Sequence, residues 1–588
     1  MFGRRFHVAC AVVVAALFVH APAFAATPEV AFAGAGWGHG VGLSQYGAKA
    51  MASDGATYLQ ILQRYYSDVA VNQPQVSGPD AFLLTDPTPL WVGLLQDQPA
   101  VSFSVPTGAA WLCFDLTGAC LASGDTGTSW RFAPDGLGGC RFEQVLADGS
   151  RSPVGISGAC NASIRPDGTQ STVSVPFKAR SYQRGILRLR EVGATGRMHL
   201  SLEIGVEDYL HGLSEVPDLW PTAAVEAQVV ASRSLTMSQV LAIGSEANFD
   251  AARLDDCHCH LLDRSPDPNY RGLVGEIAHP AWVAAVVATI HQVVSHQGSV
   301  AMALYSSSSG GSTENYVDVF AGTDHPYLAT VFDSPSLSDP AHNPHRSWGA
   351  GFTQATIADA FGFSWVSDIA VTERNDSGSA RTVTITGIRS GRPATSLVDA
   401  VEMRLELSLR STTFDISVTL PFDDVPTGHV FAGEIVGLNA LSITSGCTMA
   451  DFCPNRPVTR GEMAAFMVRA LNLPSVADDP FTDDDGHTLE AEIASLAASG
   501  ITSGCSAVSF CPNRPVTRGE MAAFLTRGFD LAASTGLAFS DVEGHFFLAE
   551  IASLAASGIT SGCSANSFCP NRPVTRGEMA AFLIRALD

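Results

Sequence analysis

The sequence has very few lysines and little positive charge. Only two of its 34 basic residues are lysine, Lys49 and Lys178, and 58 acidic residues give the 588-residue chain a formal charge of −24. This excess of negative charge excludes the phosphate backbone of a nucleic acid as the main partner. Long apolar runs are also missing beyond the first 25 residues, so no later segment predicts a transmembrane helix.

The apolar run at the start of the chain, residues 8–19, is too short to span a bilayer. Two arginines precede it, and Ala-Phe-Ala at 23–25 offers small residues for cleavage. This pattern is typical of a secretory signal peptide over residues 1–25. Of the 13 cysteines only Cys10 lies in it. The even number that remains fits an exported, oxidised protein.

The last third of the chain repeats one unit three times. The run Ile-Thr-Ser-Gly-Cys occurs at equal spacing, first at Ile443, and each copy leads into Phe-Cys-Pro-Asn-Arg-Pro-Val-Thr-Arg-Gly-Glu-Met-Ala-Ala-Phe. Such repeats predict small helical units that bury a core only by stacking. We assign them to residues 421–478, 479–536 and 537–588 and expect an all-α bundle.

Each unit carries patterns that predict local structure. A threonine followed three residues later by glutamate predicts a capping box at the start of a second helix. The arginine between them has no capping role. We expect Arg460, Arg518 and Arg576 to be exposed and to bind an anionic polymer through charge-assisted hydrogen bonds, the alternative being solvated surface arginines. The Cys-x5-Cys spacing predicts one disulfide in each unit: Cys447–Cys453, Cys505–Cys511 and Cys563–Cys569.

These units resemble S-layer homology (SLH) domains, whose second helix begins with a Thr-Arg-Ala-Glu-like motif. The resemblance implies a pseudo-threefold bundle that binds a secondary cell-wall polymer, often through the arginine of the motif. Glycine stands here in place of the motif's alanine, and the cysteine pair is an addition.

Upstream of the repeats, residues 26–420 predict an α+β domain. Short alternating runs broken by glycine, aspartate and proline predict strands from Pro89 to about Ile204, with a β-rich subdomain over about residues 85–175. We expect its four cysteines to pair, Cys113 with Cys120 being favoured over other combinations: Cys113, Cys120, Cys140 and Cys160.

A glycine-rich stretch from Gly34 to Ala48 opens this domain. It contains neither G-x-G-x-x-G nor a P-loop with its lysine, so it does not predict phosphate binding. Glycine at every second position instead allows backbone to approach backbone or a ligand closely. We therefore expect His39, Gln45 and Tyr46 to be polar groups set on a tight scaffold.

Glu215 is the residue best suited to chemistry. It stands among Leu213, Val216, Leu219 and Trp220, just ahead of an alanine-rich helix. An apolar setting raises the pKa of a carboxyl group, as a general acid requires near neutral pH. The alternatives are a solvated loop glutamate and a helix-cap partner.

Several segments together resemble the SpoIID/LytB family, named for stage II sporulation protein D and the amidase enhancer LytB. The family's central motif is similar to the residues from Tyr209 to Arg233, and its Trp-Gly-His-Gly block is similar to residues 36–48. Further similarities lie downstream: Asn269–Gly272, Ser309–Thr313, Pro326–Leu328 and Leu409–Phe414. In the family the Trp-Gly-His-Gly block normally follows the segment similar to Leu409–Phe414, so the domain looks circularly permuted.

The resemblance implies a mixed α/β lytic transglycosylase of peptidoglycan with Glu215 as the catalytic acid. Because the substrate's own C6 hydroxyl attacks the anomeric carbon, one carboxyl serves first as acid and then as base. The alternatives are a non-catalytic enhancer of a cell-wall amidase and a structural wall component. We expect substrate contacts from the shared motifs: His39, Ser44, Gln45, Tyr46, Arg233, Ser309, Gly310, Gly311, Thr313 and Arg410. No G-x-S-x-G elbow is present, so a serine nucleophile is not predicted.

The segment Asp-Cys-His-Cys-His at residues 256–260 concentrates metal-type ligands. A Zn²⁺ site is chemically sound, with a remote histidine such as His279 or His291 completing it. Disulfides to distant cysteines and free thiols are the alternatives, and closure of the two cysteines on each other is not expected. The candidate zinc ligands are the four soft side chains of the segment: Cys257, Cys259, His258 and His260.

Overall fold

The computed structural model describes residues 29–114, 120–135, 139–157, 160–192, 195–264, 267–268, 270–337, 343–536 and 538–588. The expected signal peptide and Asn269 lie outside the described residues. Helices and strands both contribute, and the predicted α+β class is confirmed. Among the residues that the structure describes, none of the helices combines the length and apolar character needed to cross a lipid bilayer.

The strands are, in chain order, β1 (Glu29–Gly34), β2 (Leu43–Ser44), β3 (Ala70–Asn72), β4 (Leu90–Gln98), β5 (Val101–Thr107), β6 (Ala109–Cys113), β7 (Cys120–Asp125), β8 (Ser129–Pro134), β9 (Cys140–Val145), β10 (Arg151–Ser157), β11 (Ala162–Pro166), β12 (Thr172–Val175), β13 (Arg180–Tyr182), β14 (Ile186–Glu191), β15 (Met198–Ile204), β16 (Leu261–Leu262), β17 (Val293–His296), β18 (Ser299–Val300), β19 (Tyr305–Ser306), β20 (Trp348–Thr353), β21 (Trp365–Arg374), β22 (Ala380–Arg389), β23 (Arg392–Asp399) and β24 (Phe414–Thr419).

The α-helices are, in chain order, α1 (Gln45–Ser53), α2 (Tyr58–Tyr65), α3 (Phe82–Thr85), α4 (Val206–His211), α5 (Thr222–Ile243), α6 (Ala251–Asp256), α7 (Leu273–Ala278), α8 (Pro280–Ala288), α9 (Gln354–Phe361), α10 (Ala400–Glu406), α11 (Ala432–Ala440), α12 (Arg460–Leu471), α13 (Glu490–Ala498), α14 (Arg518–Gly528), α15 (Leu548–Ala556) and α16 (Arg576–Leu587). Short 3₁₀ turns lie at Gly78–Ala81, Pro176–Lys178, Glu246–Asn248, Tyr316–Asp318 and Ser334–Leu337.

Two large sheets form the β-rich part. Their strand orders are β16-β4-β15-β14-β11-β6-β7 and β10-β9-β8-β5-β12-β13, and their inner faces share one hydrophobic core. Every second residue of β5 from Val101 to Val105 is buried, as half-buried strands require. The disulfides Cys113–Cys120 and Cys140–Cys160 are formed as expected. The run of strands ends at Ile204, as the sequence predicts, and so extends past the β-rich subdomain assigned to about residues 85–175.

Strand β1 brings the start of the described chain beside a distant segment. It lies between β20 and β24 and runs antiparallel to both, with Gly34 opposite Trp348 and Phe414. The glycine-rich stretch that follows β1 is therefore adjacent in space to Leu409–Phe414. This adjacency is what a circular permutation requires, since permutation is tolerated where the joined ends are close together.

Helix α5 is apolar on nearly all sides and is buried between two cores. Val225 and Val229 belong to the core of the two large sheets, whereas Ala227 and Ala231 pack in a smaller core with α1, α2 and β17. A helix that is hydrophobic all round is stable only when it is enclosed. The loop just before α5, which carries Glu215, is therefore held between the two cores.

The three repeats, each with two helices, form a closed ring around one core, in which α12 packs against α13, α14 against α15 and α16 against α11. Short bridges join the segments before the second helices: Thr459–Pro515, Thr517–Pro573 and Pro457–Thr575. The third bridge links the last repeat to the first. All three predicted disulfides and all three predicted capping boxes are confirmed.

Candidate active site

The backbone around Glu215 is fixed from several directions. Glu215 lies in the loop between α4 and α5, flanked by the buried side chains of Leu213 and Val216. The Gln45 amide, predicted to contact substrate, donates a hydrogen bond to the Glu215 carbonyl at 3.2 Å. The glycine-rich stretch thus holds the loop that carries the carboxyl group, as a site on a rigid scaffold requires.

The Glu215 carboxyl group lines a cavity of about 580 Å³ together with His39 and Tyr305. The Tyr305 hydroxyl donates a hydrogen bond to the carboxyl group, which favours its charged form. Burial acts in the opposite direction and is the larger effect, so that the pKa of Glu215 is raised to about 7. A large fraction of the carboxyl groups is therefore protonated near neutral pH.

His39 is neutral in this cavity. Its Nδ1 accepts a hydrogen bond from the Val41 N–H at 3.0 Å, which places the ring proton on Nε2. Burial, with the charge of Arg404 adding to it, lowers the pKa of His39 to about 4. The imidazole therefore acts as a hydrogen-bonding group and carries no positive charge at neutral pH.

Close backbone approach explains why this stretch is rich in glycine. Strand β2 runs parallel to β19, with Leu43 opposite Tyr305. Gly42 has φ +74, and a Cβ there would lie 2.1 Å from the Leu304 carbonyl oxygen. The predicted close approach of backbone to backbone is confirmed, and it sets His39 and Tyr305 side by side.

Several lining residues of the cavity were missed by the sequence analysis. Asp263 is one, and its carboxylate pairs with Lys178 at 2.6 Å and with Arg180. Asp267 and Tyr305 are others. Only Tyr305 had a signal in the sequence, because it directly precedes the serine-rich patch that begins at Ser306. The acidic and basic residues come from segments that are distant in the chain, so no local pattern predicts that they meet.

Arg233 does not face the cavity, contrary to the expectation of substrate contact. Its side chain is fully buried and forms a two-point ion pair with Glu207, at 2.9 Å from Nε and 2.8 Å from Nη2. It also donates to the Gln292 carbonyl at 3.1 Å. A buried guanidinium must be neutralised and hydrogen-bonded, and here it ties α5 to its neighbours.

Ser44 and Ser309 are likewise structural. The Ser44 hydroxyl caps α1 by accepting from the Gly47 N–H at 3.2 Å, and it accepts from the Ser309 N–H at 3.3 Å. The Ser309 hydroxyl donates to Asp333 at 2.6 Å. Both serines are buried and have structural roles here, and their contact with substrate remains a prediction.

The Gly-Gly-x-Thr part of the same patch also supports the scaffold. Thr313 is fully buried and donates to the Ala329 carbonyl at 3.2 Å. Gly310 has φ +77 and lies so close to the Ala35 backbone that a Cβ would be 2.6 Å from its carbonyl oxygen. Gly311, at φ +121, accepts a backbone hydrogen bond from Asp333 at 2.8 Å. None of the three faces the cavity.

Tyr46 and Arg410 belong to an aromatic strip on the surface. Ring centroids are 4.6 Å apart for Trp37 and His345, 5.2 Å for His345 and Tyr46, and 5.0 Å for Tyr46 and Trp220. The Arg410 guanidinium lies 5.0 Å over Trp37. Trp37 is 46% exposed. We call these four rings with Arg410 the aromatic strip. Tyr46 of this strip directly follows Gln45, whose amide bonds to the Glu215 carbonyl.

The predicted zinc site is not formed. Cys257 and Cys259 are joined to each other in a disulfide, the pairing that was not expected. Their sulfurs are therefore not thiolates, which zinc binding requires. His258 pairs with Glu246 at 2.9 Å, and both ring nitrogens of His260 bond to backbone groups. The residues of this segment do not fit a zinc ion.

The arginines of the three repeats are buried, which corrects their predicted exposure. Arg460 is 4% exposed, its Nε donates to the Phe510 carbonyl at 2.7 Å, and its guanidinium lies 4.7 Å over the Phe510 ring. It also pairs with Glu520 at 3.4 Å. Equivalent contacts join the other repeats: Arg518 with Phe568 and Glu578, and Arg576 with Phe452 and Glu462. Each charge is thus compensated by a neighbouring repeat.

Comparisons with known proteins identify both parts of the chain. A family model described as Stage II sporulation protein (SpoIID) matches residues 194–296, which include Glu215 and α5. The model of the S-layer homology domain matches residues 480–522 and 538–580. The chain therefore carries a SpoIID segment and SLH repeats, as the sequence analysis predicted. The first repeat has the same helix pair, disulfide and capping box as the two matched repeats.

Three curated proteins are similar over part of the chain. They are an S-layer protein of Bacillus thuringiensis subsp. finitimus (29% identity over 28% of this chain and 21% of that protein), a surface-layer 125 kDa protein of Lysinibacillus sphaericus (32%, 27% and 14%) and a cell surface protein of Thermoanaerobacter kivui (31%, 32% and 24%). The matched regions span a quarter or less of the length of these relatives.

Proposed function

We propose that the protein is a peptidoglycan lytic transglycosylase held at the cell wall by its SLH repeats. The SLH repeats and the surface-layer relatives indicate a secreted protein of the cell surface. The SpoIID segment indicates a cell-wall-associated role for the upstream domain. The cleavage reaction and its substrate are the parts that we propose.

The observation that supports cleavage most strongly is the position of the Glu215 carboxyl group. It is half-buried, opens into a cavity and has a pKa raised to about 7 by burial. A carboxyl group with this pKa can hold a proton before reaction and accept one afterwards. The loop geometry and the Tyr305 hydrogen bond keep it in one orientation, which a positioned acid requires.

The proposed reaction needs only this carboxyl group. Glu215 gives its proton to the oxygen that bridges two sugars, and the bond from that oxygen to the anomeric carbon breaks. The C6 hydroxyl of the same sugar attacks the anomeric carbon and yields its proton to the Glu215 carboxylate. The products are a 1,6-anhydro end and a free hydroxyl on the leaving strand. No water is consumed, and Glu215 ends protonated again.

The other charged groups of the cavity fit supporting roles. Asp263 is neutralised by Lys178 and Arg180, so it is not free to act as a second nucleophilic carboxylate. Neutral His39 and Tyr305 position the site, because His39 bonds to the backbone of Val41 and of Tyr305, and the Tyr305 hydroxyl bonds to Glu215. Trp37 of the aromatic strip is 46% exposed and offers a surface on which the apolar face of a sugar can pack.

Attachment to an anionic wall polymer is the second part of the proposal. The buried Arg460 lies at the inner end of a groove of about 380 Å³ that Arg514, Arg527 and Phe546 also line. Arg514 and Arg527 each expose 42% of their side chains. We therefore assign the outer contacts with the polymer to these exposed arginines and a packing role to the buried ones.

Muropeptide analysis tests the proposal. Purified peptidoglycan is incubated with the full chain and with Glu215→Gln, and the products are analysed by mass. Anhydro ends produced only by the unsubstituted chain support cleavage. The absence of anhydro ends, with faster release of peptides when a cell-wall amidase is added, would instead identify a non-catalytic enhancer. Binding to isolated wall polymer serves as the control, because both chains keep the repeats.

A further inference from the structure

The second repeat carries acidic residues in the segment before its first helix where the other two repeats carry apolar residues. In the second repeat (residues 479–536) the segment before and at the start of its first helix holds Asp479, Asp484, Asp485 and Glu490. Asp424, Asp483 and Asp541 establish the alignment, because each accepts backbone hydrogen bonds from the Phe-Cys of its own repeat. The residue that follows this shared aspartate can therefore be compared directly.

That next residue is a buried valine in two repeats and a buried aspartate in one. Val425 and Val542 are each 2% exposed, and Asp484 is 1% exposed. Valine at this position adds apolar contact to the core of its repeat. An aspartate there loses most of its hydration, which is costly unless the carboxylate finds a partner.

Two further positions change in the same way. The first residue of the helix is Ala432 in α11 and Leu548 in α15, but Glu490 in α13. Counting back from the phenylalanine that all three repeats share at this point (Phe422, Phe481 and Phe539), Asp479 corresponds to Leu420 and Leu537. Three apolar positions in the sister repeats are therefore three carboxylates in the second repeat.

Three carboxylates of this segment converge in space. Carboxylate oxygens of Asp479, Asp485 and Glu490 all lie within 4.8 Å of one another. Ca²⁺ binds oxygen at about 2.3–2.6 Å, so two of its ligand atoms are separated by at most about 5 Å. The three side chains already satisfy this limit.

Asp484 supplies an independent observation. Both of its carboxylate oxygens, and Oδ2 of Asp479, lack a hydrogen-bond partner within the described part of the chain. Asp484 directly precedes Asp485 in the chain, and it is 1% exposed. Buried carboxylates without partners usually indicate a group that would satisfy them.

We propose that the second repeat binds one Ca²⁺ ion through Asp479, Asp484, Asp485 and Glu490. Oxygen-only ligands from four carboxylates match Ca²⁺, whereas Zn²⁺ prefers nitrogen and sulfur. The ion joins the segment before α13 to the first residue of α13. It thereby replaces the apolar contacts that hold the same junction in the sister repeats. The site is independent of Glu215 and of the reaction proposed for it.

Native mass spectrometry and calorimetry of the full chain test the site. We expect one bound Ca²⁺ per chain and a dissociation constant in the range of extracellular calcium modules, about 0.1–1 mM. Added Ca²⁺ at about 10 mM should raise the Tm of the repeat bundle by about 5 °C. Failure of the unsubstituted chain to bind Ca²⁺ at this concentration would overturn the proposal, as would an equal response to Mg²⁺.

The variant Asp484→Val installs the residue of the sister repeats. Without Ca²⁺ its Tm should rise, because an unpartnered buried carboxylate is replaced by a side chain that fits an apolar core. Its response to Ca²⁺ should be lost. Retention of the full Ca²⁺ response by Asp484→Val would contradict the ligand assignment.

Two further variants complete the test. Glu543→Gln changes the acid of the third repeat that corresponds to Asp485, where the neighbouring buried residue is Val542, and it should leave Ca²⁺ binding unchanged. Glu490→Gln should weaken Ca²⁺ binding at least tenfold and provides a second reading if Asp484→Val does not fold. Equal weakening by Glu543→Gln and Glu490→Gln would show a nonspecific effect of surface charge and overturn the site.

Discussion

The cleft of the upstream domain and the ring of repeats are built in opposite ways. The cleft brings together His39, Glu215 and Tyr305, which come from three distant segments and occur once each. The ring repeats one junction three times, with an arginine that contacts the phenylalanine and glutamate of a neighbouring repeat. Function at the cavity therefore depends on single residues, whereas the stability of the ring is shared among three equivalent contacts.

The largest expected effect is the loss of glycan cleavage when Glu215, which lines the cavity of the upstream domain, is substituted. Glu215→Gln should lower the rate of glycan cleavage by about 10²–10⁴-fold, because it removes the proton donor and acceptor. The folded structure and the binding of wall polymer should be unchanged, and quantified anhydro muropeptides provide the measurement. Asp208→Asn is the matched control, since Asp208 is nearby in sequence but pairs with Arg184 at the surface. A comparable loss in the control would remove the special role of Glu215.

Removing a buried arginine from a junction between repeats should lower the stability of the bundle and leave the rate of glycan cleavage unchanged. Arg576→Ala should lower the free energy of unfolding of the bundle by about 2–4 kcal/mol, because the Phe452 carbonyl and Glu462 lose a buried partner. Arg572→Ala should cost less than about 1 kcal/mol, since the Arg572 side chain is 42% exposed. Urea denaturation of both variants measures the difference. Equal costs would contradict a structural role for the buried arginine.

The raised pKa of Glu215 predicts a pH dependence of stability. The pKa is about 7 in the folded chain and about 4.5 in its absence, so folding favours the protonated form. This stabilisation of the protonated state is complete below pH 4.5 and is lost as the pH rises through 7. Glu215→Gln should therefore increase the free energy of unfolding by about 1–3 kcal/mol at pH 8 and by much less at pH 4. Denaturation at the two pH values checks the sign.

The smallest expected effect concerns the aromatic strip. Trp37→Ala should raise KM for glycan strands about 3–10-fold and change kcat less, because one stacking surface is lost away from the reacting bond. Trp111→Ala is the matched control and should leave KM unchanged, since Trp111 is 41% exposed on the β-rich part and lies outside the aromatic strip. Steady-state kinetics with soluble glycan fragments distinguishes the two. A loss confined to kcat would place Trp37 at the reacting centre instead.

Local patterns predicted what depends on neighbouring residues. The cysteine spacing predicted the three repeat disulfides, and the threonine–glutamate pairs predicted the three capping boxes. The apolar sequence around Glu215 predicted its raised pKa. In each case the groups that interact are close in the chain, so the physics that joins them is visible in the sequence.

Local patterns gave wrong predictions where the interacting partner is distant along the chain. Arg460 looked exposed because its compensating groups belong to the next repeat, and Arg233 looked available because Glu207 is separated from it along the chain. Cys257 and Cys259 close on each other through a backbone turn in which His258 has φ +48. The local sequence does not predict this uncommon conformation.

The sequence by itself determined the repeat architecture, the export-type cysteine pattern and the choice of Glu215 as candidate acid, because spacing, charge and apolar periodicity act over short distances. The tertiary structure alone decided which polar residues face the cleft, which arginines are buried and where unpartnered carboxylates meet. Those outcomes depend on burial and pairing between distant segments, and hydration and charge compensation are properties of the folded chain.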